Sequence, residues 1–150
     1  MEAQLNSLID AVRQAAADGR TLRLRGGGTK DFWGQSITGD VLDTRGYQGI
    51  VSYEPSELVV TVRCGTPLAE LEVLLNEQGQ CLAFEPPRFS ADGQSHATVG
   101  GMVACGLAGP ARAVAGGVRD HVLGVQMLNG KAEWLTFGGQ VMKNVAGYDV

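Results

Sequence analysis

A strand-like segment that runs directly into three consecutive glycines constrains this chain more than any other feature. Thr21–Arg25 alternates apolar and polar residues, the period-2 pattern of a half-buried strand, and Gly26–Gly28 follow at once. Consecutive glycines let the chain turn sharply and leave several backbone N–H groups uncovered by side chains, which suits an anion such as a phosphate. Thr29 would add a hydroxyl donor, and Arg25 or Lys30 a positive charge. The pattern therefore predicts an anion-binding loop, with a flexible surface turn as the alternative.

A second glycine cluster, His96 to Ala104, lies further along the chain, and within it Thr98-Val99-Gly100-Gly101 precedes a short apolar piece, Met102 to Leu107. We interpret that piece as a helix, whose N-terminus would present free N–H groups and a favourable dipole to an anion. Two such clusters predict two sides of a diphosphate. Neither cluster is a GxxxxGK[ST] loop or a GxGxxG turn, and the element order is not alternating βαβ. The ligand class implied is a nucleotide cofactor held in a different fold.

Composition limits the classes of function that are open to this chain. Of its 150 residues, 22 are glycine and 19% are charged, with a net charge of −4. This acidic balance argues against a nucleic-acid-binding protein, which would need a clustered basic face. Three widely spaced cysteines, without a CxxC pair, argue against a disulfide framework or a metal site. Because neither a signal peptide nor an apolar run of about 18 residues is present, we expect a cytoplasmic location, with a peripheral membrane contact through a partner left open.

Periodicity predicts two long helices. The first runs from Gln4 to Asp18 and ends at Gly19, and the second follows Thr66 as N-cap and Pro67 as first helical residue, ending at Gly79. Between Arg88 and Gly117 the chain is irregular, and we interpret it as a loop with a short helix wrapped on a ligand.

β-Branched and alternating segments predict the strands. The candidates are Val41–Thr44, Gly49–Tyr53, Leu58–Arg63 and Gln80–Phe84, the first three arranged as a hairpin or meander. A further hairpin, Val122–Leu128 with Lys131–Phe137, would close through a type I′ turn at Asn129-Gly130. His121 would lie in a strand-like segment, where a hydrogen-bonding function is favoured over that of a general base.

Six segments together carry a resemblance to a known family. They are LRLRGGGTK, VVTVRCGTPLAELEVLLNEQG, FEPP, ATVGGMVACGLAGP, GGVRDHVLGVQMLNGK and GGQVMKNVAGYDV, in the family's order over nearly the whole chain. The chain resembles the FAD-binding domain of the vanillyl-alcohol oxidase / p-cresol methylhydroxylase flavoproteins. Within that family, it is most similar to the FAD-binding subunits of bacterial glycolate oxidases.

The resemblance implies a set of FAD-binding residues. The first glycine loop would cradle the pyrophosphate, through Arg25, Gly26, Gly27, Gly28, Thr29 and Lys30. The second cluster would lie along the flavin and ribityl chain, through Thr98, Val99, Gly100 and Gly101, with Pro86 and Ala104 nearby. Backbone around Val122 would flank the adenine. Catalytic residues are not assigned.

Several departures from the family's pattern change what the resemblance implies. Met102 and Gly106 stand where relatives often have asparagine, so the polar contacts of those side chains are missing. Thr29 stands where some relatives attach flavin to a histidine, so we expect non-covalent FAD. The family's domain continues beyond GYDV into a substrate or cap domain. We therefore expect a C-terminally truncated domain that is inactive alone.

The resemblance also implies the fold and the parent reaction. The fold would be an α+β, PCMH-type domain of two subdomains, about residues 1–55 and 56–150, with FAD between them. The parent protein would oxidise glycolate, a small 2-hydroxy acid, to glyoxylate and pass a hydride equivalent to FAD. Electrons would leave through a flavin-containing D-type and an iron–sulfur F-type subunit, in the cytoplasm or at the inner membrane. Two alternatives remain: a scaffold subunit with weak or no FAD, and a flavoenzyme acting on another 2-hydroxy acid or an amino-sugar nucleotide.

Overall fold

The computed structural model describes residues 2–90 and 95–139, which combine helices with small two-stranded sheets, in agreement with the α+β prediction. The helices are α1 (Glu2–Ala17), α2 (Leu68–Glu77), α3 (Val99–Cys105), α4 (Arg112–Ala115) and α5 (Val118–His121). The strands are β1 (Leu22–Arg25), β2 (Asp40–Asp43), β3 (Ile50–Glu54), β4 (Val59–Val62), β5 (Gly124–Leu128) and β6 (Trp134–Gly138). No described helix is long and apolar enough to cross a bilayer. The family-like segment from Gln140 onward lies outside the described residues.

The first helix and strand form as the sequence predicts. Helix α1 buries Val12 and Ala15, which share its apolar stripe. The helix ends before Gly19, whose φ of +64° suits a residue without a Cβ, and the chain then enters β1. A short connection therefore delivers β1 to the glycine loop.

Strand β2 pairs with β1, in parallel, so the predicted meander of three consecutive strands is wrong. The register places Leu22 opposite Asp40 and Leu24 opposite Leu42. An ion pair between Arg20 and Asp40 stands at the start of this ladder. Because parallel strands need a long connection, the glycine loop and the residues after it serve as the crossover.

The hairpin of β3 and β4 confirms the other part of that prediction. The two strands are antiparallel and joined by a 3₁₀ turn at Pro55–Glu57, after which Leu58 takes a left-handed φ of 56°. Both Ile50 and Tyr53 of β3 pack against the core that contains α2. The hairpin therefore packs with α2, and the predicted division into units of about 1–55 and 56–150 stays a prediction.

Helix α2 is the centre of the hydrophobic core. Its buried residues Leu68, Leu71 and Leu75 pack with a group from later in the chain: Phe84, Ala97, Met102, Ala108 and Val118. The helix begins one residue later than predicted, after Pro67, and no side chain caps it. Gly79 follows its end with a φ of +67°, as predicted.

Two of the predicted β elements differ in the structure. The segment Gln80–Phe84 keeps strand-like side-chain alternation, with Phe84 buried, but pairs with no described strand. The β5–β6 hairpin is confirmed, but its turn is longer than type I′. The Asn129 carboxamide oxygen accepts from the backbone N–H of both Lys131 and Glu133, and Ala132 takes the positive φ. An Asn side chain that bonds its own loop thus replaces the two-residue turn.

Candidate functional site

The three glycines after β1 each meet a different steric requirement. A Cβ on Gly26 would lie 2.6 Å from the Thr98 hydroxyl oxygen. On Gly27 it would overlap the backbone carbonyl of His96. Gly28 has a φ of +72° and faces the Arg25 guanidinium. The two glycine clusters of the sequence are therefore in direct contact, through Gly26 and Gly27 on one side and residues 96–98 on the other.

The backbone of this loop carries a run of unused hydrogen-bond donors. Within the described residues, none of the N–H groups from Gly26 to Lys30 donates a hydrogen bond to a protein acceptor. The same residues are only partly exposed. Free N–H groups on consecutive residues are the donor set from which a backbone anion-binding concavity is built. We name Gly26–Lys30 the anion loop.

Arginines of β1 and an aspartate after the loop surround the anion loop with charge. Arg23 and Arg25 lie two residues apart on the strand, and both reach Asp31, at 3.1 Å and 2.7 Å. The hydrogen bond from Arg25 is the largest cause that lowers the pKa of the Asp31 carboxyl. Arg25 is therefore beside the loop, as predicted for a binding residue, but carries a carboxylate partner.

Lys30 connects the anion loop to the segment around Pro86. Its ammonium lies 5.9 Å from the centre of the Phe89 ring, against which Phe32 and Trp33 also stack edge-on. Lys30 and Pro86 line one narrow crevice together with residues of the core and α3: Leu68, Pro87, Ala97, Met102, Cys105 and Leu107. The structure thus brings two of the predicted binding residues, far apart in sequence, to one opening.

The N-terminus of α3 does not present the free donors that the sequence predicted. Val99 N–H donates to the Thr66 carbonyl at 2.9 Å, and Gly100 N–H to the Cys64 carbonyl at 2.8 Å. Gly101 N–H donates to the Thr98 hydroxyl at 3.2 Å. This expectation is wrong because the turn at Cys64–Thr66 supplies two of the acceptors and the Thr98 N-cap supplies the third. Ligand contacts from Thr98–Gly101 stay a prediction and would use other atoms.

The turn at Cys64–Thr66, which we name the junction turn, anchors the N-terminus of α3, and sequence reasoning missed it. Thr66, predicted as an N-cap, is fully buried, and its hydroxyl accepts from Gly49 N–H at 2.8 Å. Gly65 packs on the carbonyls of Arg45 and Tyr47, each 2.8 Å from where its Cβ would be. In the sequence, the signal for this turn is a Gly-Thr pair ahead of a helix.

The remaining predicted residues lie on the elements that follow. Ala104 is exposed on α3, whereas Val122 packs against the core just after α5. His121 lies in helix α5, not in a strand, and its Nε2 is 3.0 Å from the Ala115 carbonyl oxygen. The adenine contact at Val122 stays a prediction. Within the described ranges, no group of His, Cys, Asp and Glu side chains could hold a metal ion.

Cys64 is expected to be the least reactive thiol of the chain. It is half-buried in the junction turn, whereas Cys81 and Cys105 are exposed. Burial raises the pKa of the Cys64 thiol and so lowers its thiolate fraction near neutral pH. Mass spectrometry of iodoacetamide-treated protein should show Cys64 modified last, with the difference abolished in denaturant. Equal rates in the native protein would contradict the packing of this turn.

Comparison with known proteins agrees with a nucleotide-cofactor site. The family model described as "FAD binding domain" matches residues 3–138. The chain is also 50% identical, over 144 residues, to glycolate oxidase subunit GlcE of Escherichia coli strain K12. That alignment covers 96% of this chain and 40% of the relative, so the chain spans well under half of the relative's length.

Proposed function

The chain belongs to the FAD-binding domain family, and from that premise we propose that it is the cofactor-binding part of a glycolate oxidase flavoprotein subunit. FAD is the cofactor. In the parent protein, the proposed reaction is oxidation of glycolate to glyoxylate, with a hydride equivalent transferred to FAD. The relative's name, a glycolate oxidase subunit, supports this substrate and a multi-subunit assembly.

The anion loop is the observation that carries the proposal. FAD contains a diphosphate, and the unpaired N–H groups of Gly26–Lys30 form a half-buried donor array that fits such an anion. Thr29 adds a hydroxyl, and Arg25 and Lys30 add positive charge beside the array. We assign the diphosphate to these residues.

The second cluster has a different function from the one its glycines suggest. Its N–H groups dock α3 on the junction turn, and Gly26 and Gly27 pack on residues 96–98. We propose that this contact sets the shape of the anion loop. The flavin side of the cofactor would then lie along side chains and remaining backbone of the second cluster, with Pro86 at the same crevice as Lys30.

Bound FAD supplies the two-electron redox chemistry, and the chain's own residues orient it. Thr29 stands in the loop where a histidine would be needed for a covalent link, which supports non-covalent binding. For the assembled enzyme we propose a D-type flavin subunit and an F-type iron–sulfur subunit as partners. The complex would lie in the cytoplasm, or peripherally at the inner membrane.

A flavin titration tests the cofactor assignment to this chain. The purified 150-residue protein should retain or take up FAD. The bound flavin should show its characteristic absorbance band at about 450 nm. The flavin should be released on denaturation, since it is held without a covalent bond. A folded protein that takes up no FAD would favour the scaffold alternative.

Dye reduction by the full-length complex tests the substrate. Glycolate should support reduction, and Gly27→Asp should abolish it, because a side chain there would overlap the His96 carbonyl and force the anion loop away from residues 96–98. Other 2-hydroxy acids and amino-sugar nucleotides provide the comparison. Faster reduction with one of these than with glycolate would identify a different flavoenzyme on the same domain.

A further inference from the structure

We propose that Asp31 limits the affinity of the anion loop for a diphosphate, because its carboxylate forms ion pairs with the arginines that would otherwise attract that anion. The inference rests on the proposed assignment of the diphosphate to this loop. It gives Asp31 a defined effect on ligand affinity that is separate from holding the fold.

Geometry places the Asp31 carboxylate at the edge of the anion loop. Its Oδ2 lies 2.7 Å from Arg25 Nε, and its Oδ1 lies 3.1 Å from an Arg23 terminal nitrogen. The Arg25 guanidinium carbon is only 2.8 Å from where a Cβ on Gly28 would be. Asp31 N–H also donates to the Gly28 carbonyl, at 3.1 Å. The Arg25 guanidinium therefore lies between the Asp31 carboxylate and the backbone of the anion loop.

A second acid near Arg25 is already paired with a different arginine. Asp43 is opposite Arg25 in the β1–β2 ladder, but its carboxylate bonds Arg45, with an oxygen 2.6 Å from the terminal nitrogen. Arg45 lowers the pKa of Asp43 to about 2, so this pair persists at neutral pH. Asp31 is thus the acid whose charge is set directly against the arginine at the loop.

The sign of the effect follows from the charges. Arg23, Arg25 and Asp31 together carry one net positive charge when all are ionised, and removing the carboxylate charge would give two. A bound diphosphate is negative, so Asp31 repels it and competes for the same guanidinium. The Asp31 and Arg25 side chains are 38% and 36% exposed, so solvent screens the interaction and the effect is modest.

Asp31→Asn tests the proposal, since asparagine keeps the shape and an oxygen acceptor without the charge. Titration of the full chain with FAD, and separately with inorganic pyrophosphate, should show the variant binding about threefold more tightly. Its affinity should also fall more steeply with salt, because the site carries one more positive charge. Asp10→Asn is the matched control: Asp10 forms an exposed pair with Arg13, at 2.9 Å, on helix α1, and its loss should leave both affinities unchanged.

Weaker or unchanged binding in Asp31→Asn would overturn the proposal and show that the carboxylate braces the loop. A second measurement uses the wild type alone. Pyrophosphate should shift the NMR signal of the Arg25 Nε–H group as it displaces Asp31, and a signal that stays in place at saturation would also overturn the proposal. Pyrophosphate binding without FAD binding would contradict the cofactor assignment and leave the Asp31 result readable. If neither ligand binds any variant, both proposals are wrong.

Discussion

Replacing Gly27 with alanine is expected to weaken FAD binding strongly. The added Cβ would overlap the His96 carbonyl, a backbone group that cannot rotate away, so the anion loop must separate from residues 96–98. We expect the affinity for FAD to fall by at least about 100-fold, equivalent to about 2.7 kcal/mol. Overpacking of this kind should also lower the free energy of unfolding by about 2 kcal/mol. Flavin titration and urea unfolding measure the two effects.

Gly130→Ala is the matched control for this prediction. Gly130 also lies in a tight hydrogen-bonded loop, between Asn129 and Glu133, but a Cβ there would meet no atom within 4 Å and its φ is not positive. FAD affinity and unfolding free energy should both stay at their wild-type values. If Gly27→Ala bound FAD as well as Gly130→Ala does, the contact between the two clusters would not shape the anion loop.

Local patterns were enough to predict the elements that carry their own signals. The apolar stripe of α1 and the leucine repeat of α2 each identify a helix face, and Gly79 ends α2 with the expected positive φ. The alternating segment that runs into Gly26–Gly28 is enough to locate this glycine loop at the end of a strand. Periodicity and chain-stopping residues act within a few positions, which is why these predictions did not need the rest of the fold.

Predictions failed where a distant segment decides the outcome. Strand β2 pairs with β1 across the glycine loop, a choice that no short window of sequence contains. Thr66 is a residue type that often caps helix N-termini, but its hydroxyl accepts a hydrogen bond from Gly49 N–H instead. The Asn129 side chain bonds Lys131 and Glu133 and so lengthens a turn whose dipeptide favours two residues. In each case a non-local or side-chain acceptor competed with the local preference and prevailed.

The same distinction between local patterns and non-local contacts applies to the candidate site. Sequence located both glycine clusters, but assigned them the same function because both contain paired glycines and a threonine. Only the acceptors on Cys64 and Thr66 show that the second cluster spends its N–H groups on the protein itself. Glycine marks close backbone approach in both places: Gly26 and Gly27 approach residues 96–98, and Gly100 approaches Cys64.

Gly100→Ala is expected to destabilise the protein even when FAD is absent. A Cβ on Gly100 would lie 2.6 Å from the Cys64 Cβ and 2.9 Å from the Cys64 carbonyl oxygen, so α3 would have to move off the junction turn. That movement would also break the hydrogen bond from Gly100 N–H to the same carbonyl, at 2.8 Å. Alanine favours the helix by about 1 kcal/mol, and overpacking outweighs this. The net decrease in unfolding free energy should be about 2 kcal/mol, measured by urea unfolding of FAD-free protein.

Gly101→Ala separates this steric effect from a general loss of glycine in α3. Its Cβ would approach only the Thr98 hydroxyl, at 3.1 Å, and a hydroxyl can shift by a few tenths of an ångström. The gain in helix propensity then offsets the crowding, and the unfolding free energy should stay within about 1 kcal/mol of wild type. Equal stability of the two variants in FAD-free protein would contradict docking of α3 on Cys64. If Gly100→Ala were stable but bound FAD poorly, the glycine would instead be a cofactor contact, as its sequence alone suggested.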